Sequence, residues 1–328
     1  MTAKTEKDHY VLHICSGTCK LRCVFCTKLK DDSLEEVERD IENELKILKK
    51  YCEKFIIKNI TISGNDLLEY PHLIELIRKV KEIVANPSLN IFFLTHGIGM
   101  TWEMMSKIID EGVHFFGFPL YAGSSRTHDE IVNYNGAFQY ITNLLQEISN
   151  KHNLINNNLK LNISINSLIL KQNQNELEQI INVLRRFNKI KIWFLIGLPS
   201  NSYESSLNNK KVLNSYPNLK HFQENLRQLI LLGEYYHIPI ELLKIPKCLF
   251  YRSYSDLKYM NFLYIQNLDI KNIYELSYLR DSRQKDEVKL FETYKTEKCK
   301  ECLFFESCSG IYPIYYQLNL FEPRPIKS

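Results

Sequence analysis

The strongest signal in this sequence is the stretch Cys19-Lys-Leu-Arg-Cys23-Val-Phe-Cys26. Its three thiols, separated by three and then by two residues, can bind three corners of one iron–sulfur cube. A structural cluster normally takes four cysteines, so a set of three leaves one iron with an open coordination position. In zinc proteins an open position distinguishes catalytic from structural sites. A small zinc site and three unliganded thiols remain the alternatives.

This spacing, with the aromatic Phe25 directly before the last cysteine, resembles the signature of the radical S-adenosylmethionine (SAM) enzymes. The resemblance implies a [4Fe–4S] cluster on Cys19, Cys23 and Cys26, with SAM bound to the fourth iron and Phe25 among the cofactor-binding residues. It also implies that one electron cleaves the sulfonium of SAM. Methionine and a 5′-deoxyadenosyl radical would result, and the radical would take hydrogen from a substrate.

Composition places the chain among ordinary globular proteins, with 45% hydrophobic and 24% charged residues. A net charge of +4 over 328 residues predicts no nucleic-acid surface. The polar N-terminus contains no apolar run near the ~20 residues that a membrane span requires, so we expect a cytoplasmic protein without membrane contact. The nine cysteines are clustered and follow no secretion signal, which indicates metal binding in a reducing or anaerobic setting.

Strand and helix patterns alternate along the first 240 residues. Ser33 and Glu36 form a capping box before a helix at 34–51. Strands are predicted at 10–14, 55–63, 90–95, 113–120, 159–170 and 190–196, with a possible seventh at 238–243. Helices are predicted after Pro71 and at 102–110, 139–149, 175–187 and 218–234.

This alternation predicts an α/β fold with parallel strands and crossover helices. Six such units fit a partial (β/α)6 barrel, in which loops at the carboxyl ends of the strands carry the chemistry. The resemblance implies the same fold, of the radical SAM type. A doubly wound open sheet is the second alternative, although the sequence has no GxGxxG or Walker motif. We place the core at residues 1–240 and a smaller domain at 241–328.

A second group of cysteines, Cys299, Cys302 and Cys308, lies in the smaller domain. Their spacing resembles the SPASM and twitch domains, which hold auxiliary [4Fe–4S] clusters behind radical SAM cores. Those domains usually recruit one cysteine from upstream, and Cys248 stands in the right order to complete the set. The resemblance therefore implies a twitch-like domain with one auxiliary cluster. A zinc ribbon is the alternative, because Cys-x2-Cys pairs bind zinc readily.

The end of the second predicted strand, Ser63-Gly64-Asn65-Asp66, corresponds to the segment along which radical SAM enzymes place the amino group of SAM. The resemblance implies that all four residues contact the cofactor and that Asn65 or Asp66 accepts a hydrogen bond from the ammonium. Small residues there allow the backbone to approach the ligand closely. The same four residues also make an ordinary strand-to-helix turn.

Polar residues alternate along the fifth predicted strand, so Ser164 and Asn166 should point into the barrel. The resemblance assigns such residues to the ribose and carboxylate of SAM, and it places Gly197, at the end of the sixth strand, against the adenine. Polar filling of a barrel interior and a simple turn are the structural alternatives.

The stretch from Gly117 to Gly123, followed by His128 and Asp129, resembles a segment of radical SAM maturases that modify peptides. We expect Tyr121 and His128 to be catalytic residues on the substrate side, with His128 as a proton donor near neutral pH. A surface His-Asp pair that caps a helix is the alternative.

These features together predict a radical SAM enzyme of the oxidoreductase or peptide maturase type, whose substrate is a peptide or protein undergoing modification. A flavodoxin or ferredoxin would supply electrons, and a separate leader-binding protein could deliver the peptide. Two alternatives remain. One is a radical SAM dehydrogenase or epimerase acting on a small metabolite, and the other is a non-catalytic iron–sulfur or zinc-binding regulator.

Overall fold

The fold is described from a computed structural model of the chain. Its described residues are 5–14, 16–26, 32–151, 161–187, 190–198, 210–243, 245–249, 295–306, 308, 310–311 and 313–326. None of the helices in these ranges combines the length and the apolar character needed to cross a membrane. Much of the predicted C-terminal domain lies outside the described residues, and the boundary near residue 240 stays a prediction.

Seven strands form one parallel sheet. In chain order they are β1 (Thr5–Ile14), β2 (Phe55–Gly64), β3 (Asn90–Leu94), β4 (Val113–Pro119), β5 (Asn162–Ile169), β6 (Ile190–Gly197) and β7 (Ile240–Leu243). Each strand pairs with the next one in sequence, from β1 at one edge to β7 at the other. A doubly wound sheet would require a reversal of this order. The predicted partial barrel is therefore confirmed, although it contains seven strands rather than six.

Helices connect the strands. They are α1 (Leu34–Lys54), α2 (Leu73–Val84), α3 (Trp102–Asp110), α4 (Ser125–Val132), α5 (Ala137–Lys151), α6 (Leu177–Leu184), α7 (Lys210–Leu213) and α8 (Gln223–Tyr235), with α9 (Pro313–Gln317) near the end of the chain. The predicted capping box is confirmed, because Ser33 N–H donates to Glu36 and Glu36 N–H donates to the Ser33 hydroxyl. The short helix α4 was not predicted.

The two faces of the sheet differ in their surroundings. Alternate residues of β1, such as Tyr10 and Leu12, face the helices, and the Tyr10 ring packs edge-on against Tyr51 of α1 with ring centroids 5.1 Å apart. The opposite, concave face carries the other set of side chains. On that face Phe92 of β3 and Phe115 of β4 pack with ring centroids 4.3 Å apart. The hydrophobic core thus lies between the sheet and the helices, and the concave face is where a ligand site can form.

The end of β2 passes unusually close to the end of β1. Gly64 has a φ of +134°, and a Cβ added there would lie 1.7 Å from the carbonyl oxygen of Ile14. The next residue, Asn65, donates its backbone N–H to the same oxygen at 2.9 Å. A glycine is therefore required at position 64. Its positive φ disfavours other residues, and a side chain would overlap the Ile14 carbonyl oxygen.

We expect Gly64→Ala to lower the free energy of unfolding of the metal-free protein by more than about 3 kcal/mol, since left-handed strain and overpacking add together. Gly136→Ala is the matched control, because Gly136 has a φ of +84° but no atom within 4 Å of an added Cβ. Only backbone strain, about 1–2 kcal/mol, applies to the control. Denaturant unfolding of both variants gives the comparison, and equal losses would contradict the steric constraint.

Candidate functional site

The three cysteines of the N-terminal motif lie in a loop at the carboxyl end of β1. Cys19, Cys23 and Cys26 are all free thiols and all half-buried. Burial raises the pKa of the Cys23 thiol far above its ordinary value, and the neighbouring Cys26 and Cys19 raise it further. This mutual influence indicates that the three thiols converge. Ionising these thiols costs free energy when no positive charge is nearby. A cationic iron–sulfur cluster would supply that charge, so the three thiols are a suitable donor set for it.

Side chains from α1, from the segment just before α1 and from the residue after β2 anchor the beginning of the loop. Ser16 N–H donates to Asp40 at 2.9 Å, and Gly17 N–H donates to Asp32 at 3.0 Å. Asn65 completes the set, because its side-chain amide donates to the carbonyl of Gly17 at 2.9 Å. The predicted cofactor residue Asn65 therefore lies beside the cysteine loop and also positions it.

The unpredicted helix α4 supports the other side of the loop. The backbone N–H groups of Arg22 and Val24 donate to the carbonyls of Val132 and Ile131 at 3.0 and 2.9 Å. Helix termini leave such carbonyls without helical partners, so the loop satisfies the end of α4. The Ser124 hydroxyl accepts from Thr127 N–H and begins the helix, which is the one local signal that could have revealed it.

Phe25 and Tyr121 connect the loop to the predicted catalytic residues. Their rings meet edge-on with centroids 5.1 Å apart, and Tyr121 in turn stacks on His128 at 5.8 Å. The structure therefore brings Tyr121 and His128 close to the cysteine motif. It does not support His128 as a proton donor at neutral pH: the side chain is buried, and its Nδ1 accepts the backbone N–H of Tyr121 at 3.1 Å.

The His128 ring is held in its neutral form. Burial lowers its pKa to about 4, and the nearby Asp129 opposes this shift only in part. Asp129 caps a helix, as the alternative proposed: its carboxylate accepts the backbone N–H groups of Gly136 and Phe138, at the start of α5, at 2.6 and 2.8 Å. His128, in contrast, is buried and does not lie on the surface. His128 is consequently a positioning residue for the Tyr121 backbone in this structure.

The predicted turn Ser63–Asp66 divides into two parts. Ser63 hydrogen-bonds the ring of His13 at 3.1 Å, and Gly64 and Asn65 adjoin the cysteine loop. Asp66, in contrast, is buried and turned towards β3. Its carboxylate accepts the hydroxyl of Thr95 at 2.8 Å and the backbone N–H of His96 at 2.7 Å.

Asp66 therefore has a different role from the one predicted for it. A third donor, the backbone N–H of Leu68, lies 2.9 Å away, so internal groups surround the carboxylate. Burial alone would raise the pKa of Asp66, but hydrogen bonds from His96, Leu68 and Thr95 hold it below its ordinary value. The charge is used to join the ends of β2 and β3 rather than to receive an ammonium group.

His96 is a site residue that the sequence interpretation missed. Its Nδ1 lies 2.9 Å from Asp66, and the ring is almost fully buried. Burial would lower the pKa of His96, but the interactions with Asp66 and with Cys19 outweigh it and raise the pKa to about 9. The only local signal is its place at the end of a strand, next to Thr95.

The concave face of β5 carries the remaining predicted SAM contacts. Ser164 and Asn166 are half-buried and alternate with the buried Ile163 and Ile165, as predicted. The Ser164 hydroxyl donates to the carbonyl of Phe116 at 3.3 Å. The side-chain oxygen of Asn166 is buried and accepts no hydrogen bond from the described residues. An orphaned acceptor beside the strand ends fits a ligand that brings its own donors, as SAM does.

Two further features of the concave face bear on a ligand. Gly197 lies buried at the end of β6, opposite Ile169 of β5, and the chain directly after Leu198 lies outside the described residues. A shallow pocket lies between β3 and β6. Its lining is mainly apolar and includes Phe92, Leu94, Phe115, Gly117, Ser164 and Ile192.

The four C-terminal cysteines gather around a second cavity, of about 430 Å³. Burial raises the pKa of Cys248 to about 12, and Cys308, Cys299 and Cys302 contribute in the same direction. Backbone N–H groups already point at two of the sulfurs, from Gly310 to Cys308 and from Ile326 to Cys302, each at 3.4 Å. Such N–H donors stabilise thiolate ligands, so the donor set fits an iron–sulfur cluster.

In the described part of the chain, no three His, Cys, Asp or Glu side chains are gathered closely enough to hold a single metal ion. A cubane cluster places a different requirement on its ligands, because each cysteine binds a different iron atom.

Comparison with known proteins gives one family and several structures. The family model described as the Radical SAM superfamily matches residues 14–184, which include the three N-terminal cysteines. Streptococcus suis SuiB bound to its precursor peptide SuiA has a similar structure, with a TM-score of 0.50 and 12% identity over 82% of this chain and 55% of that one. No curated protein sequence matches the chain.

A second similar structure is coproporphyrinogen III oxidase (HemN) from Escherichia coli, which is described as a radical SAM enzyme. The TM-score is 0.53, with 11% identity over 71% of this chain and 53% of that one. The chain spans just over half the length of each of these two structures. At such low identity the likeness concerns the fold.

The neutral state of His128 predicts a pH dependence of stability. Because the unfolded side chain titrates near 6.5 and the folded one near 4, the unfolded state binds an additional proton between these values. The metal-free protein should therefore lose about 2 kcal/mol of unfolding free energy through His128 between pH 7 and pH 5. His9, whose pKa burial lowers to about 3, acts in the same direction.

His128→Asn isolates the contribution of His128, since the Asn oxygen can still accept the Tyr121 N–H but does not titrate. Denaturant unfolding at pH 7 and pH 5 should show a smaller loss in this variant than in the wild type. An identical pH dependence in both proteins would contradict the neutral, buried state of His128.

Proposed function

Because the chain belongs to the radical SAM superfamily, we propose that it cleaves SAM reductively and abstracts a hydrogen atom from a peptide or protein substrate. The observation that carries the proposal is the convergence of Cys19, Cys23 and Cys26 at the carboxyl end of a partial barrel. When bound, the [4Fe–4S] cluster supplies one electron to the sulfonium of SAM, which separates into methionine and a 5′-deoxyadenosyl radical.

The residues around the motif would hold the cofactor. Phe25 would lie beside it, and the backbone of Ser63 and Gly64, with Asn65, would border its methionine end. Ser164 and Asn166 would bind polar groups of SAM, for which the unpaired oxygen of Asn166 is the strongest support. Gly197 would allow the adenine to approach β6. Tyr121, which contacts Phe25, would border the substrate side.

The C-terminal cysteines would hold an auxiliary cluster. Cys248, Cys299, Cys302 and Cys308 surround one cavity, and N–H donors are already directed at two of the sulfurs. Four protein ligands would leave this cluster without an open position. It would then accept the electron left on the substrate radical as the substrate loses a proton, so that the net reaction is an oxidation or a cross-link.

The peptide substrate is supported by the segment Gly117–Gly123 and by the shared fold with SuiB, which was solved with its precursor peptide. A cytoplasmic flavodoxin or ferredoxin would deliver electrons, and a leader-binding protein could deliver the peptide. The mainly apolar pocket on the concave face favours a second candidate, a small metabolite that is dehydrogenated or epimerised.

Anaerobic reconstitution followed by incubation with dithionite and SAM tests the proposal. Wild-type protein should bind about eight iron and eight sulfide ions per chain and produce 5′-deoxyadenosine. Cys23→Ala should lose about half of the iron and all cleavage, because it removes a ligand of the SAM-binding cluster. Metal analysis and chromatography of the nucleoside products give both readings.

Cys302→Ala is the matched control, since it removes one thiol from the C-terminal group only. This variant should also lose about half of the iron, but it should still cleave SAM. A wild-type protein that binds zinc, or that holds clusters but never cleaves SAM, would contradict the enzyme and favour a regulator.

A further inference from the structure

His96 is a buried polar residue to which the proposed function assigns no role. It follows Thr95 directly after β3, and its side chain is only 6% exposed. Its Nδ1 lies 2.9 Å from Asp66, and the residue before Asp66, Asn65, holds Gly17 of the cysteine loop. The ring also interacts with the side chain of Cys19, a proposed cluster ligand. The residue thus connects a fully hydrogen-bonded carboxylate to the edge of the proposed cluster site.

The Asp66 side of this contact is rigidly held. The carboxylate receives the hydroxyl of Thr95 and the backbone N–H groups of Leu68 and His96, all within 2.9 Å. Nδ1 of His96 lies 2.9 Å from the same carboxylate and 3.0 Å from the backbone nitrogen of Ile98. These contacts fix the orientation of the ring.

The other ring nitrogen has no such partner. Nε2 is buried, and no hydrogen bond to it is formed within the described residues. Since Nδ1 is taken by Asp66 and Ile98, Nε2 is the atom left to interact with Cys19. A ligated cysteine sulfur carries no hydrogen, so only an N–H facing it is favourable. Nδ1 cannot accept the Ile98 N–H and donate to Asp66 at once, but either arrangement leaves a hydrogen on Nε2. A neutral ring that accepts through Nδ1 carries its hydrogen on Nε2, and a ring that is doubly protonated carries one on each nitrogen.

We propose that His96, oriented by Asp66, donates a hydrogen bond from Nε2 to the Cys19 sulfur and raises the reduction potential of the cluster. The inference rests on the proposed function, because Cys19 must be a cluster ligand. Hydrogen bonds to the sulfurs are one of the factors that set the potentials of such clusters. The bond stabilises the more negative, reduced cluster more than the oxidised one, so its loss makes reduction harder.

Two substitutions separate this role from a structural one. In His96→Asn the amide reaches only the position of Nδ1, so it keeps the contact with Asp66 but loses Cys19. In His96→Gln the amide nitrogen can reach the position of Nε2 and restores a donor to the sulfur. Both side chains are polar and uncharged, which makes them a matched pair.

The experiment is a redox titration of the reconstituted full chain, followed by the electron paramagnetic resonance signal that changes when SAM is added. His96→Asn should lower the equilibrium constant for reduction at least tenfold, which equals about 59 mV for one electron. His96→Gln should recover most of this loss. Iron content should be equal in all three proteins.

The outcomes distinguish the inference from the function on which it rests. An unchanged potential in His96→Asn, or equal shifts in both variants, overturns the hydrogen bond while leaving SAM cleavage intact. A wild-type protein without a SAM-responsive cluster overturns the function itself. If His96→Asn binds no iron, wild-type protein with ¹⁵N-labelled histidine provides the test. Pulsed resonance should then detect a histidine nitrogen coupled to the reduced cluster, and the absence of any such coupling overturns the inference.

Discussion

The site depends on the close contact between Gly64, at the end of β2, and Ile14, at the end of the neighbouring strand β1. Because Gly64 carries no side chain, its backbone reaches the Ile14 carbonyl, and Asn65 can bond both that oxygen and Gly17. Cys19, the first of the three cysteines, lies five positions after the last residue of β1. The contact between Ile14 and Gly64 therefore sets the distance between the predicted cluster ligands and the turn that would border SAM.

The loop itself is held mainly through its backbone. Asp32 and Asp40 accept N–H groups at its start, and the end of α4 accepts them further along. This leaves the thiol side chains available for ligation. Bringing them together has an electrostatic cost if they ionise, as the raised pKa of Cys23 indicates, and a bound cationic cluster would remove that cost. The loop is thus ordered by groups that do not compete for the metal.

Local signals in the sequence predicted much of the fold. The capping box of Ser33 and Glu36 and the apolar spacing of α3 depend on residues within one or two turns, and both elements were found where expected. Helix α4 was not predicted because its eight residues are too few to show a clear helical repeat of apolar side chains. The seventh strand was predicted only as a possibility at 238–243, because four residues carry little pattern and its pairing with β6 defines it.

The site was less predictable because its polar residues have distant partners. Asp66 is occupied by Thr95 and His96, some thirty residues away, so an acidic residue placed correctly in a family motif has a structural role here. The burial of His128 likewise depends on Tyr121 and Phe138, which surround its ring. Motif spacing indicated which residues lie near the cysteine loop. It could not show which of their polar atoms are already bonded.

The central claim is that three cysteines leave one iron of the cluster open for SAM. Electron–nuclear double resonance of the reduced protein with SAM labelled at its amino nitrogen and carboxylate oxygen tests this directly. We expect strong coupling of both labels to the cluster, because both atoms would be bound to iron. A reduced cluster that shows no coupling to either label would contradict it.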